Sequence, residues 1–221
     1  MKTTFVRALI AGCIGFAAMG QAQATPITST SSLTGGGLVF DNFGCVISKG
    51  GFSAKPTNCN QIDVGAGAGS LDFTSQFKAT TLSFDNVLLR YRVSSGGPGI
   101  SAVQLAFDGS FFGISVASVT ETIRDASGKV VGRMTVSCSP LGCDQEDPGY
   151  GWFDIPLDGV FDELYITKAI NVSAGIGSAT ITQVRQGFTL DADVPEPGSL
   201  ALLALGLLGA GAASRRSRKG V

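Results

Sequence analysis

Between residues 25 and 193 the apolar side chains recur with a period of two, and no stretch carries a helical period. Val87, Leu89, Tyr91 and Val93 alternate with Leu88, Arg90 and Arg92. Such alternation turns one set toward a core and leaves two arginines on the other face. Val103, Leu105 and Phe107 alternate in the same way, and Asp108-Gly109 after them is a hairpin signal. Residues 112–123 form a longer strand whose apolar parity shifts between Val116 and Val119, as a β-bulge would produce. Ser94 to Gly99 and Ser127-Gly128 are turns, and 130–137 follows as a strand.

The pattern continues to the end of this region. Trp152 starts a short strand through Ile155, which Pro156 and Asp158-Gly159 end. Leu164, Ile166, Ile170 and Val172 share a parity, interrupted near Lys168. Gly175-Ile176-Gly177 is a turn, and Thr180, Thr182, Val184, Gln186 and Phe188 lie on one parity of a closing strand. Residues 25–37, rich in Ser, Thr and Gly, are a flexible or edge segment. Residues 65–70 are a loop, and their glycines lack the Lys-Ser/Thr of a phosphate cradle. Strands recurring at roughly 10-residue intervals predict an all-β fold, a single antiparallel β-sandwich of jelly-roll or immunoglobulin type. Burying a Phe or Leu side chain stabilises by roughly 1.5–3 kcal/mol, so the inward positions can form a core without a cofactor.

Both ends differ from this region. Lys2 and Arg7, then an apolar run over 8–19, then Ala22-Gln23-Ala24 read as a signal peptide cleaved after Ala24, with Ala22 and Ala24 the positions a signal peptidase recognises. Ile10-Ala11-Gly12-Cys13 loosely mimics a lipoprotein box, but the apolar stretch before Cys13 is short for one. At the other end Val194, Pro195, Glu196 and Pro197 form a strip that the two prolines hold extended. Residues 198–214 follow as an apolar helix ~25 Å long, short beside a ~30 Å hydrocarbon core. Arg215, Arg216, Arg218 and Lys219 then act as a cytoplasmic stop. Three segments follow: a signal peptide at 1–24, an ectodomain at 25–193 and a tail at 194–221, with both ends agreeing that the ectodomain is exported.

Charge and composition exclude several functions. The two ends hold six of the 16 basic and one of the 17 acidic residues, which leaves the ectodomain at about −6. That balance disfavours nucleic acid and anionic lipid as partners. The chain has no histidine, so neither Ser-His-Asp nor Cys-His catalysis is open to it, nor is imidazole ligation of zinc. Cys45, Cys59, Cys138 and Cys143 remain after signal removal, and an even count in an exported chain predicts disulfides. Three pairings exist, and short loop closure favours Cys45–Cys59 and Cys138–Cys143.

From Val194-Pro195-Glu196-Pro197-Gly198-Ser199-Leu200 through Lys219 the tail resembles the PEP-CTERM sorting signal in order, spacing and composition. The resemblance implies export across the inner membrane of a Gram-negative bacterium that makes exopolysaccharide. It also implies transient anchoring and processing by the membrane enzyme exosortase. Residues 164–168, 172–175, 178–181 and 186–188 are similar to the final hairpin of many PEP-CTERM ectodomains, which agrees with the β fold.

Candidate ligand residues are few. Asp144, Glu146 and Asp147 could offer oxygens to Ca²⁺ but lack the glycine and terminal glutamate of an EF-hand loop, so solvation is expected. Asp154, Asp158, Asp162 and Glu163 supply carboxylates of the kind a glycosidase pairs, yet they lie in turn-like sequence. Tyr150 and Trp152 could stack on a sugar ring, although a tryptophan in such a fold ordinarily belongs to the core. The expectation is therefore a non-enzymatic surface or matrix protein without a cofactor, with carbohydrate binding as the alternative.

Overall fold

The computed structural model describes residues 24–51, 58–144 and 152–191. The signal peptide expected up to Gln23, Tyr150, Glu146, Asp147, the sorting strip and the apolar and basic tail lie outside the described residues. Among the described residues eleven strands form one antiparallel sheet: β1 (Thr25–Pro26), β2 (Ser32–Gly35), β3 (Leu38–Gly51), β4 (Asp63–Gly67), β5 (Ser70–Thr80), β6 (Ser83–Ser95), β7 (Ile100–Arg124), β8 (Val130–Ser139), β9 (Gly142–Cys143), β10 (Phe153–Phe161) and β11 (Glu163–Leu190). The all-β, antiparallel expectation holds. No helix among these residues is long and apolar enough to cross a membrane.

Two strands are too long to lie flat. β7 has 25 residues and β11 has 28, and they pair along nearly their whole length. The first half of β11 has β6 on its other side, at Glu163↔Ser94 through Ala174↔Ser83. The second half has β5 there, at Ser178↔Thr80 through Gly187↔Ser70. The β7–β11 register slips between Ala174 and Ile176, where the sheet changes partners. Gly113 pairs with Gly177 just past that slip, with φ of +73° and +112°, a region L side chains avoid. A Cβ on Gly113 would lie 2.3 Å from the Ile176 carbonyl oxygen, and one on Gly177 2.1 Å from that of Phe112.

The curl brings the halves face to face. Phe40 of β3 meets Phe188 of β11 at 5.5 Å between centroids, and Phe73 of β5 meets Tyr91 of β6 at 5.6 Å. One cluster of buried side chains runs through both halves, including Phe77, Leu89, Leu105, Val119, Ile123, Ile166, Ile170 and Ile181. Both ends of β11 reach the same turn: the Ser95 amide donates to the Asp162 carbonyl, and the Asp191 amide to the Gly99 carbonyl.

Several local expectations are corrected. Asp108-Gly109 makes no hairpin, and Gly175-Ile176-Gly177 makes no turn, because each lies within a continuous strand. The proposed final hairpin is the single strand β11. No bulge falls between Val116 and Val119: Val116 faces outward, while Ser115, Ala117, Val119, Glu121 and Ile123 face inward on unbroken parity. The parity change in the closing strand lies instead at Ile181/Gln183, so Ala179 and Ile181 precede Val184, Gln186 and Phe188 on the inner face. Residues 65–70 are not a loop but the hairpin joining β4 and β5. β10 continues past Pro156 to Phe161; among the described residues it pairs only with β7, and an edge strand tolerates a residue without an amide donor.

Candidate functional site

Both disulfides are present. Cys45 of β3 is joined to Cys59, which opens a short 3₁₀ turn (Cys59–Gln61) leading into β4. Asn58 caps that turn, accepting from the Asn60 amide while its own amide donates to the Gln61 side chain. The Cys45–Cys59 disulfide ties the outer part of one half-sheet to the other. Cys138 and Cys143 face each other across β8 and β9 and close a hairpin.

Trp152 is not in the core. It is 41% exposed and precedes the edge strand β10. The Arg185 guanidinium carbon lies 5.5 Å from its ring centroid, within the range of a cation–π contact. Gly187 supplies the floor: a Cβ there would lie 3.4 Å from Cζ3 of the indole. Gln104 donates to Asp154 at 2.8 Å beside it. Arg185 also contacts Asp108 at 3.2 Å and pairs in register with Asp72, whose pKa burial raises against the opposing pull of Arg185. An exposed indole, a guanidinium, an amide and carboxylates thus share one patch. Tyr150 falls outside the described residues. A shallow depression of about 210 Å³ on the opposite half-sheet is lined by Val46, Ser48, Asn86, Leu88 and Asn171 and carries no charge.

The other acidic candidates are dispersed. Asp158 pairs with Lys129 at the surface, Asp154 accepts from Gln104, and Glu163 pairs with Arg92. Asp144 is exposed, and among the described residues no three His, Cys, Asp or Glu side chains are placed to hold a metal.

A polar cluster that the sequence pattern did not single out lies inside the core. Lys168 continues the inward parity of Ile166 and Ile170 instead of interrupting it, and its side chain is 0% exposed. Its Nζ meets Glu121 Oε2 at 2.5 Å and Gln186 Oε1 at 2.5 Å. Glu121 stands directly across from Lys168 on β7 and is also 0% exposed. Gln186 donates through Nε2 to the Gln104 carbonyl at 2.7 Å. Burial pushes the Glu121 carboxyl up and the Lys168 ammonium down, each against the pull of the other. Glu121 Oε1 and the Tyr91 hydroxyl lie buried without a hydrogen-bond partner among the described residues. Burial raises the Tyr91 phenol well above its ordinary value, and the nearby Glu121 raises it further. The signal was legible as parity: Glu121, Lys168 and Gln186 each sit where the period places an apolar residue.

The PEP-CTERM protein-sorting motif matches residues 193–219. No curated protein matches the chain in sequence. Similar solved structures include the enzymatically active domain of tailspike protein 4 from bacteriophage CBA120 (14% identity, TM-score 0.32, 66% of this chain and 19% of that one). TmCBM61 in complex with β-1,4-galactotriose is similar at 11% identity and TM-score 0.35, over 66% of this chain and 88% of that one. An arabinose-bound α-L-arabinofuranosidase is similar at 8% identity and TM-score 0.28, over 66% and 23%. The chain thus spans only about a fifth to a quarter of the phage and arabinofuranosidase chains.

Proposed function

We propose that this protein is exported, processed by exosortase at the strip Val194-Pro195-Glu196-Pro197, and left at the cell surface or in the extracellular matrix in a structural or binding role. The sorting motif at 193–219 carries this reading. Signal peptidase cuts after Ala24, recognising Ala22 and Ala24. The apolar segment 198–214 holds the chain in the inner membrane, and Arg215, Arg216, Arg218 and Lys219 stop its transfer. The ectodomain at 25–193 then acts as a disulfide-stapled β-sandwich within the exopolysaccharide layer. Replacing Pro195-Glu196-Pro197 by three alanines tests this. The wild-type protein recovered from outside the inner membrane should lack its basic tail by intact mass, and the variant should keep it. A tail present in both forms refutes processing.

A second reading, carbohydrate binding, is favoured by the exposed Trp152 over Arg185 and Gly187. Sugar rings stack on an exposed indole and hydrogen-bond to neighbouring amides and carboxylates. Glycan-array binding should fall at least about tenfold in Trp152→Ala, a loss of ~1.4 kcal/mol. Binding that is unchanged in the variant, or absent from the wild type, removes this reading.

A further inference from the structure

The inner face of the curled sheet holds an amine, a primary amide and a carboxyl group in mutual reach, shielded from water. We propose that Lys168 and Gln186 become joined by an intramolecular isopeptide bond, with Glu121 carrying the proton between them.

The geometry places the reactants. Lys168 Nζ lies 2.5 Å from the Gln186 carbonyl oxygen, closer than the ~2.7–3.2 Å of an ordinary N–H···O bond. A carbonyl bond is ~1.2 Å long, so the amide carbon lies no more than about 3.7 Å from the amine. Reacting atoms in a near-attack arrangement are ~3–3.5 Å apart. Gln186 cannot swing away freely, because its Nε2 donates to the Gln104 carbonyl at 2.7 Å. Glu121 Oε2 is 2.5 Å from the same Nζ, and its carboxyl also interacts with the Gln186 side chain.

The surroundings favour the neutral forms the step needs. An amine attacks only when it holds its lone pair, and a carboxyl donates only when protonated. Burial moves Lys168 and Glu121 in those two directions, so passing one proton from Nζ to the carboxylate readies both groups. The Nζ lone pair then forms a bond to the Gln186 side-chain carbonyl carbon. Glu121 takes a proton from Nζ and delivers one to Nε2. The bond from that carbon to Nε2 breaks, and ammonia leaves. One amine and one primary amide become one secondary amide and ammonia, with no oxidant or reductant required. The product holds no buried charge, and the exclusion of water protects it from hydrolysis.

The bond would span the bend of β11. Lys168 lies in its first half and Gln186 in its second, 18 residues apart. It would therefore lock the two half-sheets together from inside, whereas the disulfides act elsewhere.

Mass spectrometry of the protein isolated from cells, with both of its ends identified from the terminal peptides, tests this. The mass is expected to be lower by one ammonia than that of the disulfide-bonded sequence between those ends. After denaturation and reduction, trypsin should fail to cut after Lys168, and the peptide carrying Lys168 should be found joined to the one beginning at Gln186. Gln186→Met leaves the Lys168–Glu121 contact in place, and it should restore both the full mass and cleavage after Lys168. Glu121→Gln, checked for folding by circular dichroism, should also keep the ammonia. Unlinked wild-type protein with cleavage after Lys168 overturns the proposal, as does loss of one water with Lys168 joined to Glu121. Full cross-linking in folded Glu121→Gln overturns the role of Glu121 as proton carrier.

Discussion

The Lys168–Glu121 pair and the network around Arg92 differ by where they sit. Lys168 and Glu121 are wholly buried, and taking two charges out of water costs several kcal/mol per ion unless the pairing geometry compensates. Arg92 lies on the outer face of β6, where its Nε and Nη2 grip Asp41 at 2.7 and 2.5 Å and its Nη1 reaches Glu163 at 3.2 Å. Solvent screens that network, so its energetic contribution is modest. The hydrogen bond from Arg92 holds the Asp41 carboxyl below the usual carboxylate range, against a smaller opposing effect of desolvation. A carboxylate whose pKa falls on folding adds stability that is fully present above its unfolded pKa, and the contribution is lost as pH falls through the folded value. Asp41→Asn should therefore lower the melting temperature slightly at pH 7 and flatten its fall below about pH 4. Thermal melts of both proteins across that range check this; parallel curves would contradict it.

At the scale of elements, the decisive feature is that β7 and β11 bend together instead of ending. Gly113 and Gly177 face each other there, and each backbone occupies the space a neighbouring Cβ would need. Around them Ile114 and Ile176 stand opposite one another at 71% and 65% exposure, as expected at the outside of a sharp curl. Gly177→Ala combines a strained φ of +112° with a collision against the Phe112 carbonyl, so it should destabilise the fold by at least about 2 kcal/mol. Gly96→Ala is the control: nothing lies within 4 Å of its Cβ position, and its effect should stay within about 0.5 kcal/mol. Urea unfolding of the two variants separates these outcomes.

For the whole molecule, the curl fixes what each staple can do. Cys45–Cys59 closes a sequence separation of 14 and joins β3 to the turn that starts β4, strands each one place in from opposite ends of the pairing order. Cys138–Cys143 closes a separation of only 5 inside one hairpin. Loop-closure entropy assigns the longer loop about 3 kcal/mol, and the longer loop also crosses between half-sheets. Replacing Cys45 and Cys59 together by alanine should lower unfolding free energy by about 2–4 kcal/mol, with a smaller loss for the Cys138/Cys143 pair. Chemical denaturation ranks the two, and a reversed order would show that the short hairpin, not the bridge between halves, governs stability.

Sequence alone determined what depends on neighbours along the chain. The period of two in residues 87–93 set β6 and its outward arginines, the turn residues at 127–128 set the β7–β8 join, and the tail motif was legible in full because a sorting signal is a short linear peptide. Cysteine parity with short loops anticipated both bonds. What tertiary structure decided was everything that depends on contacts distant in sequence. Gly and Asp signal a possible reversal, yet whether Asp108-Gly109 turns or runs straight depends on having β11 beside it for the full length of β7. Trp152 lies exposed because Gly187, 35 positions later, offers its ring a flat floor on the outer face. Lys168 is tolerated in the core because Glu121 and Gln186 arrive from other parts of the sheet to meet it. Local periodicity says which way a side chain points, whereas long-range pairing alone says what it will find there.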